Sequence, residues 1–266
     1  MSLITTSIDA RGVATLTLNR PDKHNALDGA TMQELHAALV AINGNAQARV
    51  VVLTGAGASF CAGADIAHMR SMMSATEQQN VDDALLLVRC LRALDELDKP
   101  VIARVNGNVF GGGVGLVACA DIAIAVETAK FALTEVRLGI VPAAISPYVV
   151  AAIGKRNARR LFLTAAPFDA LEARSLGLLH FTASAEQLDT AVATQVDHLL
   201  RGGPEALRAA KKLVRRVAAL GDRDTQFDAL GEETARLLAR LRVSPEGREG
   251  LSAFLERRKP NWHPGE

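Results

Sequence analysis

Asn106-Gly107-Asn108-Val109-Phe110-Gly111-Gly112-Gly113-Val114-Gly115-Leu116-Val117-Ala118 is the stretch on which the reading of the chain turns. Its glycines let the backbone approach a ligand closely. A helix starting among them would aim unpaired N–H groups and a partial positive charge at that ligand. Close helix–strand packing or an unusual turn is the competing explanation, and it would suffice for one glycine. Within the stretch, Gly113-Val114-Gly115-Leu116-Val117-Ala118 matches the dinucleotide fingerprint G-x-G-x-x-A. The context does not match. Loop residues separate the fingerprint from the strand ending at Val105, and the next strand starts near Ile122, which leaves room for about two helical turns. A ribose-binding acid should stand at the end of the second strand of a ~30-residue unit, and Glu127 falls too early.

Working outward, strand Val101–Val105 precedes the glycines and strand Ile122–Val126 follows them. A long helix over residues 81–97 stops before Lys99-Pro100. Residues 50–53 form a short buried strand that runs into Thr54-Gly55-Ala56-Gly57-Ala58-Ser59. Phe60-Cys61-Ala62-Gly63-Ala64-Asp65-Ile66 then reads as a tight loop with Asp65 capping a helix. At the N-terminal end, residues 3–9 and Val13–Leu18 alternate apolar and polar side chains around Ala10-Arg11-Gly12, the pattern of a β-hairpin. Asp28 is placed to cap a helix that buries Met32, Leu35, Leu39 and Ile42. Strands alternating with helices predict an α/β layer. From Ala151 onward the pattern is largely helical and more charged. The expected organisation is a core over residues 1–200 and a helical C-terminal part over 201–266, with the boundary near 200–203.

The 266 residues fit one large domain with an appendage, and 49% hydrophobic residues supply a sizeable core. The formal net charge of +1 gives no reason to expect a polyanionic partner. Cys61, Cys90 and Cys119 lack CxxC spacing, which predicts reduced, buried thiols rather than a disulfide framework or a zinc site. The six histidines show no HExxH spacing, so no metal is expected. The N-terminal residues lack the basic and apolar regions of a signal peptide, and no apolar run approaches the ~20 residues of a membrane span. The expected location is the cytoplasm. Lys211-Lys212 with Arg215-Arg216 forms a basic helix face, read as solvated; an RNA-binding side activity is the alternative from another class of function.

Taken together, Asn19-Arg20-Pro21 with Asn25-Ala26-Leu27, Ser59 to Asp65, Lys99-Pro100-Val101-Ile102-Ala103, Asn106 to Gly113, Cys119-Ala120-Asp121-Ile122-Ala123 and Phe131 to Pro142 resemble the crotonase (enoyl-CoA hydratase/isomerase) superfamily. Leu163-Thr164 and Ala173 to Leu178 extend the resemblance over nearly the whole chain. It implies a crotonase-like spiral of ββα units with a helical C-terminal part, assembled as a homo-trimer or homo-hexamer. It implies an acyl-CoA thioester substrate, with coenzyme A as part of the substrate and no separate cofactor. It also implies two backbone donors, Ala64 and Gly112, facing the thioester oxygen, an arrangement that stabilises an enolate without a polar side chain. Coenzyme A would lie near Lys23, Ala26 and Leu27 and along Ala62, Ala64, Asp65 and Ile66. The terminal segment Phe254 to Pro260 resembles one whose Phe and basic residue, here Phe254 and Lys259, reach coenzyme A.

Hydratases of this superfamily generally use two glutamates. Glu135 stands at the second position, as the expected catalytic acid/base, and Gly115 stands where the first would be. The resemblance therefore leaves two reactions open, hydration of a 2-enoyl-CoA and single-acid isomerisation of a 3-enoyl-CoA. The run Ile140-Val141-Pro142-Ala143-Ala144-Ile145-Ser146-Pro147-Tyr148-Val149-Val150 favours hydration. It resembles a bacterial subgroup acting on 3-methylglutaconyl-CoA and related carboxylated substrates of leucine and acyclic-terpene breakdown. Such a substrate would need a cation in the acyl pocket, for which His68 and Arg70 are the nearest candidates in sequence.

Overall fold

The computed structural model describes residues 2–219 and 224–263, the side chains of 224–229 excepted. It begins with the expected hairpin, β1 (Ile4–Ile8) antiparallel to β2 (Val13–Leu18). A 3-10 turn at Pro21–Lys23 leads to α1 (Gly29–Gly44). The Asp28 side chain caps that helix, accepting from the Thr31 N–H at 2.8 Å. Met32, Leu35, Leu39 and Ile42 form its buried face.

From there one motif recurs three times. The first turn is β3 (Val50–Gly55), β4 (Ser59–Cys61), α2 (Ile66–Met72) and α3 (Glu77–Asp95). The second is β5 (Val101–Val105), β6 (Asn108–Phe110) and α4 (Gly112–Ala118). The third is β7 (Ile122–Val126), β8 (Lys130–Ala132), a 3-10 turn at Glu135–Leu138 and α5 (Ser146–Thr164). The chain continues through β9 (Phe168–Asp169), α6 (Ala170–Ser175), β10 (Phe181–Ala183) and α7 (Leu188–Leu200). The longer strand of each turn joins a six-stranded sheet of order β1-β2-β3-β5-β7-β10, and the short strand joins a four-stranded sheet of order β4-β6-β8-β9. Successive long strands pair in parallel, as do β4 with β6 and β6 with β8. This is the spiral of ββα units. Val50-Val51-Val52-Leu53 and Val101-Ile102-Ala103 are buried along their length, the unbroken apolar reading of parallel strands covered on both faces.

Three helices follow, α8 (Pro204–Ala218), α9 (Asp224–Val243) and α10 (Pro245–Leu255). Residues 220–223 and 264–266 of the C-terminal part lie outside the described residues. The basic face of α8 is not a free surface. Lys211 pairs with Asp121 at 2.7 Å, Lys212 with Asp98 at 2.6 Å, Arg215 with Asp95 at 3.3 Å and Arg216 with Glu233 at 2.9 Å. Those pairs tie the helix to its own chain. No helix among the described residues is long and apolar enough to cross a membrane.

Two details differ from the sequence reading. The α3 helix starts at Glu77 instead of residue 81, because Thr76 and Gln79 form a reciprocal capping box that precedes its apolar periodicity. The region after Ala151 is not wholly helical: β9 and β10 edge the two sheets, on segments too short for period-2 alternation to register.

Candidate active site

The parallel strands β3, β5 and β7 send their C-terminal ends, and hence the loops that follow, toward one end of the spiral. Two of these loops touch. Gly63 (φ +86°) and Gly111 (φ +48°) both adopt backbone angles that favour glycine. A Cβ on Gly63 would lie 3.0 Å from the Phe110 carbonyl oxygen and 3.6 Å from the Gly111 nitrogen. The turn before α1 locks onto the first loop through a single bridge. The Leu27 N–H donates to the Gly63 carbonyl at 2.7 Å, and the Asp65 N–H donates to the Leu27 carbonyl at 2.8 Å. This pattern engages the groups flanking Ala64 and turns the Ala64 N–H to the opposite side. Gly112 is the first residue of α4, where an N–H has no intrahelical partner. A Cβ placed on Gly112 would meet Leu27 Cδ1 at 3.2 Å, and the Leu27 main chain bridges that of Ala64.

Glu135 arrives there from the third turn of the spiral. Its Oε1 stands 3.4 Å from where a Gly111 Cβ would be, against the helix start. Its Oε2 is buried with no hydrogen-bond partner. Burial pushes its carboxyl above the ordinary carboxylate range. A single carboxyl group with a raised pKa thus lies against the start of α4.

The remaining predicted residues separate. Lys23 is exposed, and its carbonyl accepts the Ala26 N–H at 3.0 Å. Ala26 is buried, its carbonyl taken by Arg20. Ala62 is half-buried and donates its N–H to the His24 carbonyl, while Ile66 is exposed at the start of α2. Asp65 ties neighbouring loops together. Burial raises its pKa, but the amides of Ala67 and His68 and the Arg20 guanidinium outweigh that and hold it below the usual range. Its N–H donates to the Leu27 carbonyl and its carbonyl accepts the Met69 N–H, so it joins the 62–66 loop to the turn before α1. His68 is bonded to Asp83 at 2.8 Å, and Arg70 is exposed. Lys259 lines a cleft with Arg49, Val50 and Pro100, beside the starts of β3 and β5 and so at the opposite end of the strands from Glu135. Within one chain it does not reach the site.

Residues 9–265 match the family model described as enoyl-CoA hydratase/isomerase. The chain belongs to the enoyl-CoA hydratase/isomerase family. It is 34% identical to crotonyl-CoA hydratase of Syntrophomonas wolfei over 94% of each chain. It is 32% identical to the mevalonyl-coenzyme A hydratase sidH of Aspergillus fumigatus, over 94% of this chain and 90% of that one. The crystal structure of an enoyl-CoA hydratase from Shewanella pealeana superposes with a TM-score of 0.93 at 41% identity, covering 98% of this chain and 96% of the other. The enzyme is thus of the enoyl-CoA hydratase type in a crotonase fold, and its family acts on acyl-CoA thioesters.

Three residues that hold the family's loops in place escaped the sequence reading as functional groups. The Arg20 guanidinium, 14% exposed, donates to the Ala26 carbonyl at 2.6 Å and pairs with Asp28 at 3.1 Å and Asp65 at 2.9 Å. Asn25 (φ +58°) accepts from the Arg20 N–H and donates to the carbonyls of Ala56 and Ser59. Asn106 accepts from the Gly55 N–H and donates to the Gly57 carbonyl. Only their places in Asn19-Arg20-Pro21, Asn25-Ala26-Leu27 and Asn106-Gly107 marked them. Replacing Arg20 by Met leaves two shielded carboxylates without their cation, and a loss of about 3 kcal/mol in urea denaturation is expected. A loss below about 1 kcal/mol would mean that the helix caps alone satisfy Asp28 and Asp65.

Proposed function

We propose that the enzyme hydrates a 2-enoyl-CoA thioester, with Glu135 as the proton carrier and the Ala64 and Gly112 N–H groups as the oxyanion hole. The observation that carries this reading is the half-buried Glu135, its Oε2 shielded and unpartnered, set against the start of α4. In this mechanism the thioester oxygen lies between the two N–H groups. As the Glu135 carboxylate takes a proton from water, the hydroxyl oxygen bonds to C3 and the C2–C3 π electrons move onto the thioester oxygen. The N–H pair then holds a charge greater than that of the ground-state carbonyl, which is where its binding favours the transition state. Glu135 returns the proton to C2 as the enolate collapses, so one molecule of water is added and the carboxylate is regenerated. Coenzyme A lies along the 23–27 turn and the 62–66 loop, held through main chain and shape more than through the Asp65 carboxylate.

The 3-methylglutaconyl-CoA reading is the finer form of this proposal and rests on the 140–150 run; His68, a candidate counter-ion, already serves Asp83. Isomerisation of a 3-enoyl-CoA is the second reading. It is favoured by a site whose only carboxyl from the expected pair is Glu135, since moving a double bond needs one proton carrier. Association into three or six copies belongs to the same proposal, and the exposed Leu138, Ile140 and Val141 next to the Glu135 turn support it. Crotonyl-CoA, 3-methylglutaconyl-CoA and a 3-enoyl-CoA incubated separately and analysed by mass separate the readings. A gain of one water from the 2-enoyl substrates is the expected result. Rearrangement of the 3-enoyl-CoA at constant mass, with no gain from the others, would replace hydration by isomerisation.

A further inference from the structure

Position 115 lacks a carboxylate, and it also lacks the room for one. A Cβ on Gly115 would lie 2.9 Å from Ile145 Cβ, closer still to Ile145 Cγ2, and 3.2 Å from Leu91 Cδ2. Ile145 is 2% exposed and stands at the entry to α5. Its carbonyl accepts the Val149 N–H at 3.0 Å, so the backbone that carries it is anchored by the helix it precedes. Ile145 therefore fills the notch that the missing side chain leaves.

The notch continues the site. Gly112 and Gly115 are three residues apart and lie on one face of α4. Leu87 and Leu91 of α3 are four apart and run alongside that face, Leu87 Cδ2 being 3.6 Å from the Gly112 Cβ position. Gly112 carries the proposed donor and the Cβ position of Gly111 lies 3.4 Å from Glu135 Oε1; Gly115 is one turn, roughly 5 Å, further along the axis. An acyl chain held at its carbonyl by Gly112 thus meets an apolar wall of Leu87, Leu91 and Ile145 within about one helical turn.

We propose that Ile145 determines acyl specificity: by filling the notch at Gly115 it closes the acyl pocket one helical turn beyond the oxyanion hole and selects short acyl groups. The proposal rests on the acyl-thioester reading of the site and deepens it. Removing the branched side chain leaves a void of several carbons next to the bound acyl group. A single methylene in an apolar pocket is worth about 10- to 200-fold in discrimination, so the effect is measurable. Valine, one methylene smaller, should give a smaller change in the same direction.

The test is equilibrium binding of butyryl-, hexanoyl- and octanoyl-CoA by calorimetry to the wild-type enzyme, Ile145→Ala and Ile145→Val. The wild type is expected to favour butyryl-CoA. Ile145→Ala is expected to shift the octanoyl-to-butyryl affinity ratio at least tenfold toward octanoyl-CoA, with Ile145→Val between. A ratio within twofold of wild type in both variants, each shown folded by its melting transition, would overturn the proposal and leave Ile145 a packing residue. Should Ile145→Ala not fold, the Ile145→Val ratio decides alone. Because saturated thioesters report binding and not turnover, the result stands apart from the choice between hydration and isomerisation. A wild-type enzyme that turns over none of the enoyl-CoA panel but binds the saturated series selectively would sink the proposed reaction and leave the role of Ile145 standing.

Discussion

Glu135→Gln lowers kcat on a 2-enoyl-CoA by about 10²- to 10⁴-fold, the usual worth of a positioned proton carrier, and raises the melting temperature at neutral pH. Both effects come from one feature, a carboxyl group held in a desolvated place with Oε2 unpartnered. The sign follows from linkage. Burial raises the folded-state pKa above the unfolded value, so the folded protein binds the extra proton more readily. Its contribution to stability is fully present below the unfolded pKa and is lost as pH rises through the folded pKa. The Gln side chain is neutral throughout and nearly isosteric. Its melting temperature should exceed that of the wild type by a margin that grows as pH rises above the ordinary glutamate pKa and through the raised folded one. Melting curves at pH 4, 5, 6 and 7 read that margin directly. Full turnover in the variant, or a margin that shrinks with rising pH, would remove Glu135 from the role proposed for it.

The second large effect is that of Gly112→Pro, expected to cost about 10²- to 10³-fold in kcat through loss of one oxyanion donor. Proline is favoured at the first position of a helix, where the missing N–H breaks no intrahelical bond, so α4 should form. The closest contact of the added Cβ is Leu27 Cδ1, the end of a flexible side chain, at 3.2 Å, with Leu87 Cδ2 at an ordinary 3.6 Å. Gly112→Ala is the matching control, because it adds the same Cβ and keeps the N–H. Activity retained in the alanine variant and lost in the proline variant assigns the loss to the donor. Equal losses in both would assign it to crowding at Leu27 and place the oxyanion hole elsewhere.

Several features were legible in the sequence because they leave local signatures. The hairpin and α1 show in alternation, in the apolar spacing of Met32, Leu35, Leu39 and Ile42, and in the Asp28 cap. The glycine cluster marked the start of α4, and motif order across the chain marked the family. The second sheet was not legible: β4, β6, β8 and β9 are two or three residues each, too short to carry a period, and β6 occupies what reads as loop between Val105 and Gly111. Nor was the pairing of Asp65 with Arg20, since the two lie 45 residues apart and only the fold brings the guanidinium to the capping carboxylate. The crowding at Gly115 was equally out of reach. A glycine in sequence shows that a side chain is missing, and only the approach of Ile145 shows that the space is taken.

The winding of the spiral has a consequence for how the enzyme comes into being. Leu27, Ala64, Gly112 and Glu135 are each delivered by a different pass of the chain, and they meet only when those passes have stacked side by side. A partly synthesised chain that ends before the third coil lacks the Glu135 segment entirely, however well its first strands have paired. Since chains emerge at about 5–20 residues per second, there is an interval of seconds in which the core assembles with its reactive centre still incomplete. The two donor loops are thus laid down before the proton carrier, and turnover waits for the coil that brings Glu135.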